Sequence, residues 1–143
     1  MTTAVDANII LDILVGEDTE RDLAAQALRR AELDGHLIIS VICYGEIAGN
    51  FPSQARADDF FKLIGCSIEG IDRETAFLAG VFFREYRKRG GERTRILPDF
   101  LIAAPAQLKA NRLLTRDKRF YGSAFSKLKT ISPASQTTQR SSK

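Results

Sequence analysis

Apolar residues fall along this chain in short runs separated by polar and glycine-containing breaks, and the runs alternate between the strand and helix periods. Thr3-Ala4-Val5, Leu37-Ile38-Ile39, Ser67-Ile68-Glu69-Gly70-Ile71 and Arg112-Leu113-Leu114-Thr115 are brief, partly β-branched or aliphatic, and bounded by turn residues, which predicts strands. Leu128-Lys129-Thr130-Ile131 reads as a last strand. Helices are predicted between them. Ala7-Asn8 turns the chain into a short, mostly buried helix over Ile9–Leu14. Glu20–Leu33 sets Leu23, Ala24, Ala27, Leu28 and Ala31 on one apolar face. Val41–Asn50 and Gln54–Ile64 follow, then Arg73–Arg89 with Ala76, Phe77, Ala79, Gly80 and Phe83 as its packed face, and Asp99–Lys109. Phe120-Tyr121-Gly122 reads as a loop or single turn.

The boundaries carry their own chemistry. Asp18 or Thr19 can cap the second helix and Asp72 the helix from Arg73, while Gly65 and Gly90-Gly91 stop helices. Pro98 suits a first helical turn, where its missing N–H would be unpaired anyway. Pro105 lies deeper and cannot bond back to Leu101, which predicts a kink or a short break. Alternating strand and helix argue for an α/β fold, a mainly parallel sheet of four or five short strands with helices on both faces. Residues 1–133 make one such domain, with no internal repeat, and the Ser/Thr/Gln-rich stretch 134–143 reads as a flexible tail.

Composition narrows the setting. The chain of 143 residues is 44% hydrophobic and 27% charged, as in a soluble globular protein with a proper core. No apolar run approaches the roughly 20 residues that span a bilayer. With no basic, signal-like start either, a cytoplasmic protein without membrane contact is expected. Cys43 and Cys66 stand alone in apolar surroundings and read as buried, reduced thiols; His36, in a turn, reads as a surface or capping residue. Residues 1–83 carry 6 Lys and Arg against 14 Asp and Glu, and residues 84–143 carry 15 against 4. A basic surface beside an acidic pocket suits a polyanionic partner, though such charges can also simply solvate helix faces.

Four acids stand out by position. Asp6 ends the first strand, Asp117 lies just beyond the fourth, Asp99 starts a helix behind Pro98, and Glu46 sits on the helix after the second strand. In parallel sheets the carboxyl ends of strands share one edge, where ligands bind. Each acid also has a plainer reading. Asp6 can cap the helix that follows, Asp99 is an ordinary N-terminal helix acid, Asp117 a turn residue, and Glu46 a solvated helix residue. Gathered together, they would repel one another unless a hard cation sat among them, and oxygen-only ligands suit Mg²⁺ or Mn²⁺ better than zinc.

The segments Val5-Asp6-Ala7-Asn8, Glu46, Pro98-Asp99-Phe100-Leu101-Ile102-Ala103-Ala104 and Leu114-Thr115-Arg116-Asp117-Lys118-Arg119-Phe120 resemble, in order and spacing, the four acidic motifs of the PIN-domain ribonucleases. Within that group the chain is most similar to the VapC-type toxins of bacterial toxin–antitoxin pairs, over about residues 1–133. The resemblance implies a three-layer α/β/α PIN-like fold. It further implies an acidic site of Asp6, Glu46, Asp99 and Asp117 that binds magnesium or manganese and cleaves single-stranded RNA. Asn8 and Thr115 match the family's supporting polar positions. A VapB-type antitoxin and a homodimer are expected, with the Leu23–Ala31 face and the Gln54–Ile64 region as candidate contact surfaces. Many relatives have histidine where Pro105 stands.

With one ion, Asp6 and Asp99 are the first choices as ligands, and Glu46 and Asp117 complete the shell through water or hold a second ion. Arg93, Arg95, Arg116, Lys118 and Arg119 are candidates for RNA-backbone contacts, and Phe100 and Phe120 read as core residues rather than base-stacking platforms. A catalytically degenerate PIN-like protein that binds only RNA or a partner is the alternative. An aspartyl-phosphate phosphotransfer protein ranks lower, because a second Asp two residues after Asp6 is replaced by Asn8.

Overall fold

The computed structural model of the chain describes residues 1–133; the stretch 134–143, expected to be a flexible tail, lies outside the described residues. In chain order the elements are β1 (Thr2–Val5), α1 (Ala7–Val15), α2 (Asp18–Asp34), β2 (His36–Ser40), α3 (Val41–Ala48), α4 (Gln54–Leu63), β3 (Cys66–Glu69), α5 (Arg73–Lys88), α6 (Leu97–Lys109), β4 (Arg112–Leu114), α7 (Lys118–Ala124) and β5 (Thr130–Ile131). The strands form one sheet in the order β3-β2-β1-β4-β5, and every neighbouring pair is parallel.

β1 takes the centre because nothing in it needs water. Ala4 and Val5 are buried, and the hydroxyl of the buried Thr3 accepts a hydrogen bond from Arg112 Nε at 2.9 Å. The chain steps outward from β1 through β2 to β3, then returns across the sheet to β4 on the other side of β1. Parallel crossovers are right-handed, so opposite directions of travel cover opposite faces with helices. The switch in direction falls between β1 and β4, where such sheets open a crevice beyond the strand ends. α6 packs across β1, β2 and β4, and α2 packs on β2 with α1 against it.

An aromatic cluster joins α5, α6 and α7. Phe100, wholly buried, has its ring centroid 5.3 Å from Phe83, 5.6 Å from Tyr86, 5.7 Å from Phe120 and 5.5 Å from Phe125. Phe100 and Phe120 are thus core residues, as the pattern predicts.

Several local expectations are corrected. Ala7 and Asn8 form the first turn of α1 rather than a loop, since the extended Asp6 already serves as N-cap. α2 is capped at Glu17 rather than Asp18 or Thr19, because the Glu20 carboxylate reaches back to the Glu17 N–H at 3.2 Å. Lys118–Ala124 is a helix rather than a single turn, and burying Phe120, Tyr121 and Ala124 gives it one apolar face. The buried face of α5 is built on Thr75, Ala79 and Tyr86, while Ala76 is exposed and Phe77 is 75% exposed. The cap of α5 is Asp72, as expected, and its carboxylate accepts the Thr75 N–H at 2.8 Å. On α2, Ala24, Ala27, Leu28 and Ala31 are buried in the chain's own core, as are Ala57 and Phe61 on α4. The rest of the Gln54–Ile64 region is exposed or half-buried, with Leu63 83% exposed. Among the described residues, no helix is long and apolar enough to cross a membrane.

Pro105 produces no break: α6 runs unbroken through it, with Pro105 buried. A proline removes the N–H that would bond the carbonyl four residues earlier, here Leu101. That carbonyl accepts a hydrogen bond from Ser40 Oγ at 3.3 Å, and the same hydroxyl accepts the Ile42 N–H at 3.1 Å as the N-cap of α3. One serine thus repairs α6 and starts α3. Ser40→Ala is expected to cost about 1–3 kcal/mol in urea unfolding, through a lost cap and a buried carbonyl left bare. In a Pro105→Ala background the carbonyl regains a helical partner, so the cost of Ser40→Ala should fall by about 1 kcal/mol in a double-mutant cycle.

Candidate metal centre at the carboxyl edge of the sheet

Asp6 is held in place by the sheet itself. Its N–H donates to the Leu114 carbonyl at 2.9 Å, which carries the β1–β4 ladder one residue past Val5. The carboxylate, on a residue only 5% exposed, makes no capping bond to α1 and faces β4 instead. Thr115 Oγ1 donates to Asp6 Oδ2 at 2.8 Å and accepts the Asp117 N–H at 2.9 Å. Asn8 Nδ2 donates to the same Asp6 oxygen at 3.3 Å, and Asn8 Oδ1 accepts the Arg116 N–H at 3.2 Å. Asn8 and Thr115, the two expected supporting polar residues, therefore tie the end of β1 to the turn that carries Asp117.

The other acids come from three further elements. Asp99 lies in the first turn of α6, where its Oδ2 accepts the Ile96 N–H at 2.9 Å. The helix-start reading of Asp99 is thus correct, and it coexists with placement among the acids. Glu46 projects from α3 at the exposed mouth. Asp117, with a side chain 33% exposed, forms an ion pair with Arg95 Nη2 at 2.8 Å.

Proton affinities report the grouping. Burial raises the Asp6 carboxyl above its ordinary value of 3.8, and the charges of Asp117 and Asp99 push it the same way, against the Thr115 hydrogen bond. Glu46 is likewise raised above 4.5, by partial desolvation in the cleft and then by Asp6 and Asp99. Asp6 thus feels the charges of Asp117 and Asp99, and Glu46 those of Asp6 and Asp99.

Sequence reasoning missed several neighbours. Cys43 Sγ lies 4.0 Å from Asp6 Oδ1, and burial followed by the charges of Asp6 and Glu46 holds its thiol firmly protonated. Tyr121 is 3% exposed, and its phenol is driven upward by burial and then by Asp6, Cys43, Asp99 and Asp117. Both sit within helices whose apolar pattern announces only core, so the one available signal was their proximity in sequence to Glu46 and Asp117. Arg116, a candidate for RNA contact, directs Nε to the buried Asp12 at 2.7 Å. Arg93, Lys118 and Arg119 are exposed, and Arg95 is bound to Asp117.

Among the described residues, no three His, Cys, Asp or Glu side chains already stand close enough to enclose an ion. The donor chemistry nevertheless fits a hard divalent cation. The donors are carboxylate oxygens, and the charged forms of Asp6 and Glu46 are disfavoured by acidic neighbours, a penalty that a divalent cation would remove.

No curated protein matches the sequence. Solved structures do. A chain of VapBC2 from Rickettsia felis, bound to a DNA fragment from its promoter, is similar at a TM-score of 0.70 and 17% identity, covering 92% of this chain and 98% of that one. VapBC-1 from nontypeable Haemophilus influenzae gives 0.70 at 21% identity, covering 94% and 99%. A toxin–antitoxin complex from Klebsiella pneumoniae gives 0.68 at 23% identity, covering 92% and 97%. These likenesses concern the fold, which is the five-stranded parallel α/β arrangement described above. The family model of the PIN domain matches residues 3–125, a stretch that includes all four acids and the strands that present the first and last of them, and the protein belongs to the PIN domain family.

Proposed function

We propose that residues 1–133 form a metal-dependent endoribonuclease domain that hydrolyses phosphodiester bonds of single-stranded RNA, and that the protein is the toxin of a toxin–antitoxin pair. The observation that carries this reading is that burial and then the charges of Asp117 and Asp99 raise the Asp6 carboxyl, while desolvation and then Asp6 and Asp99 raise Glu46. An ionised carboxylate buried at a strand edge beside other acids weakens the fold unless it serves a cation. Asp6 and Asp99 are the first candidates to hold Mg²⁺ or Mn²⁺, with Glu46 and Asp117 beside them. A bound divalent ion supplies Lewis acidity and a water of lowered pKa.

The chain's own residues have distinct tasks. Thr115 and Asn8 orient the Asp6 carboxylate through the hydrogen bonds they donate to Oδ2. The Ile96 N–H fixes one oxygen of Asp99. Glu46, at the solvent-facing mouth and with a proton affinity above an ordinary glutamate's, is suited to accept a proton as water attacks. Arg93 and Lys118, both exposed, are the candidates for RNA-backbone contacts, whereas Arg116 is paired with Asp12.

The VapBC and toxin–antitoxin assemblies among the solved relatives support a VapB-type antitoxin as partner, and a cytoplasmic homodimer completes the reading. The test is cleavage of a panel of structured and unstructured RNAs with Mn²⁺. Cleavage of the unstructured members is expected, together with loss on chelation and a drop on the order of 10²-fold in Glu46→Gln. RNA binding without any cleavage would instead favour the degenerate alternative.

A further inference from the structure

Arg95 is the residue whose position the expected role does not explain. Its guanidinium is held from three directions. Nη2 pairs with Asp117 Oδ2 at 2.8 Å, Nε lies 3.7 Å from Glu92 Oε2, and the guanidinium carbon stands 4.0 Å from the centroid of the Phe120 ring. The ring is a fixed platform, since Phe120 packs edge-on against Tyr86, Phe100 and Tyr121 at 5.5, 5.7 and 4.9 Å between centroids.

The loop that carries Arg95 is anchored as well. The Gly91 N–H donates to the Tyr86 carbonyl at 2.9 Å, and the Glu92 N–H donates to the Tyr86 hydroxyl at 3.1 Å. Gly91 lies so close to Tyr86 that a Cβ there would fall 2.4 Å from the ring. Only glycine allows this approach. Arg95 is therefore not a solvated arginine awaiting a phosphate, but a cation built onto one of the four acids.

We infer that Arg95 serves as a resident counterion for Asp117, withholds that carboxylate from a second divalent ion, and makes this a one-cation site centred on Asp6, Glu46 and Asp99. The inference rests on the metal-nuclease reading above. The geometry supports it. A second ion on Asp117 would have to break the 2.8 Å pair and lift the guanidinium off Phe120. Arg95 is a positioning residue in this account, since it acts on the site through Asp117.

Mn²⁺ binding to the full chain, followed by calorimetry and by the Mn²⁺ electron paramagnetic resonance signal, tests this directly. One ion per chain is expected for the wild-type protein, two for Arg95→Gln, and one again for Arg95→Gln combined with Asp117→Asn. The double variant separates the charge effect from any loosening of the loop, because loosening alone would not be reversed by removing Asp117. Two ions in the wild-type protein, or one in Arg95→Gln, would overturn the inference while leaving the nuclease reading intact. No Mn²⁺ bound by any of the three proteins would overturn both.

Discussion

Asp6→Asn is expected to abolish cleavage and at the same time to stabilise the cation-free protein. Both effects follow from one carboxylate. As a candidate metal ligand, Asp6 contributes to charge stabilisation worth several kcal/mol, so its loss should lower the rate by a factor on the order of 10³. As a buried group with acidic neighbours, it opposes folding whenever it is ionised and no cation is present. Asparagine keeps an oxygen to accept the Thr115 hydroxyl and carries no charge, so the fold loses a repulsion and little else.

The sign of the pH dependence is defined by the direction of the shift. Because Asp6 binds its proton more tightly in the folded protein, the native state holds more protons than the unfolded chain as pH rises past the ordinary aspartate value of 3.8. Stability falls through that window, up to the pH at which folded Asp6 has ionised. Glu46 adds a change of the same sign from 4.5 upward. Thermal melts in chelator should therefore show the wild-type protein losing stability across the carboxylate range and Asp6→Asn losing less. Added Mn²⁺ should raise the melting point of the wild-type protein and leave that of Asp6→Asn nearly unchanged. An Asp6→Asn protein that melts below wild type in chelator would show that Asp6 is a structural hydrogen-bond acceptor, not a stored charge.

Phe100→Ala carries the largest expected cost to the fold, about 3–5 kcal/mol by chemical denaturation. Phe100 is wholly buried and contacts rings from α5, α7 and the segment after α7, so its removal opens a cavity where these elements meet. A domain of this size has only about 5–15 kcal/mol of net stability, and the loss would consume much of it. The site would suffer too, because Asp99 precedes Phe100 on the same turn and Phe120 supports Arg95. A cost below about 1.5 kcal/mol would mean that the cluster collapses around the gap and is not the joint between these helices.

How much of this was visible in the chain depends on the range of the interaction. The five strands and six of the seven helices of the described residues could be read from local pattern, because burial of one face imposes a period on neighbouring residues. So could the location of Asp6 and Asp117 near strand ends, since a short aliphatic run ends just before Asp6 and three residues before Asp117. The resemblance to the PIN family rested on the same local motifs. α7 escaped notice because seven residues are too few to display a period.

What the tertiary structure alone decided lies in pairs far apart in sequence. Ser40 answers the carbonyl that Pro105 leaves bare on Leu101, across 61 positions, and the helix expected to kink or break there runs on without a break. Thr115 reaches Asp6 across 109 positions. Arg95 chooses Asp117 and Arg116 chooses Asp12, although either arginine could have been left for an RNA phosphate. Periodicity reports only which side of an element is dry. Which acid meets which base is settled when the sheet order brings separate strand ends together, and that order was written in no single stretch of the chain.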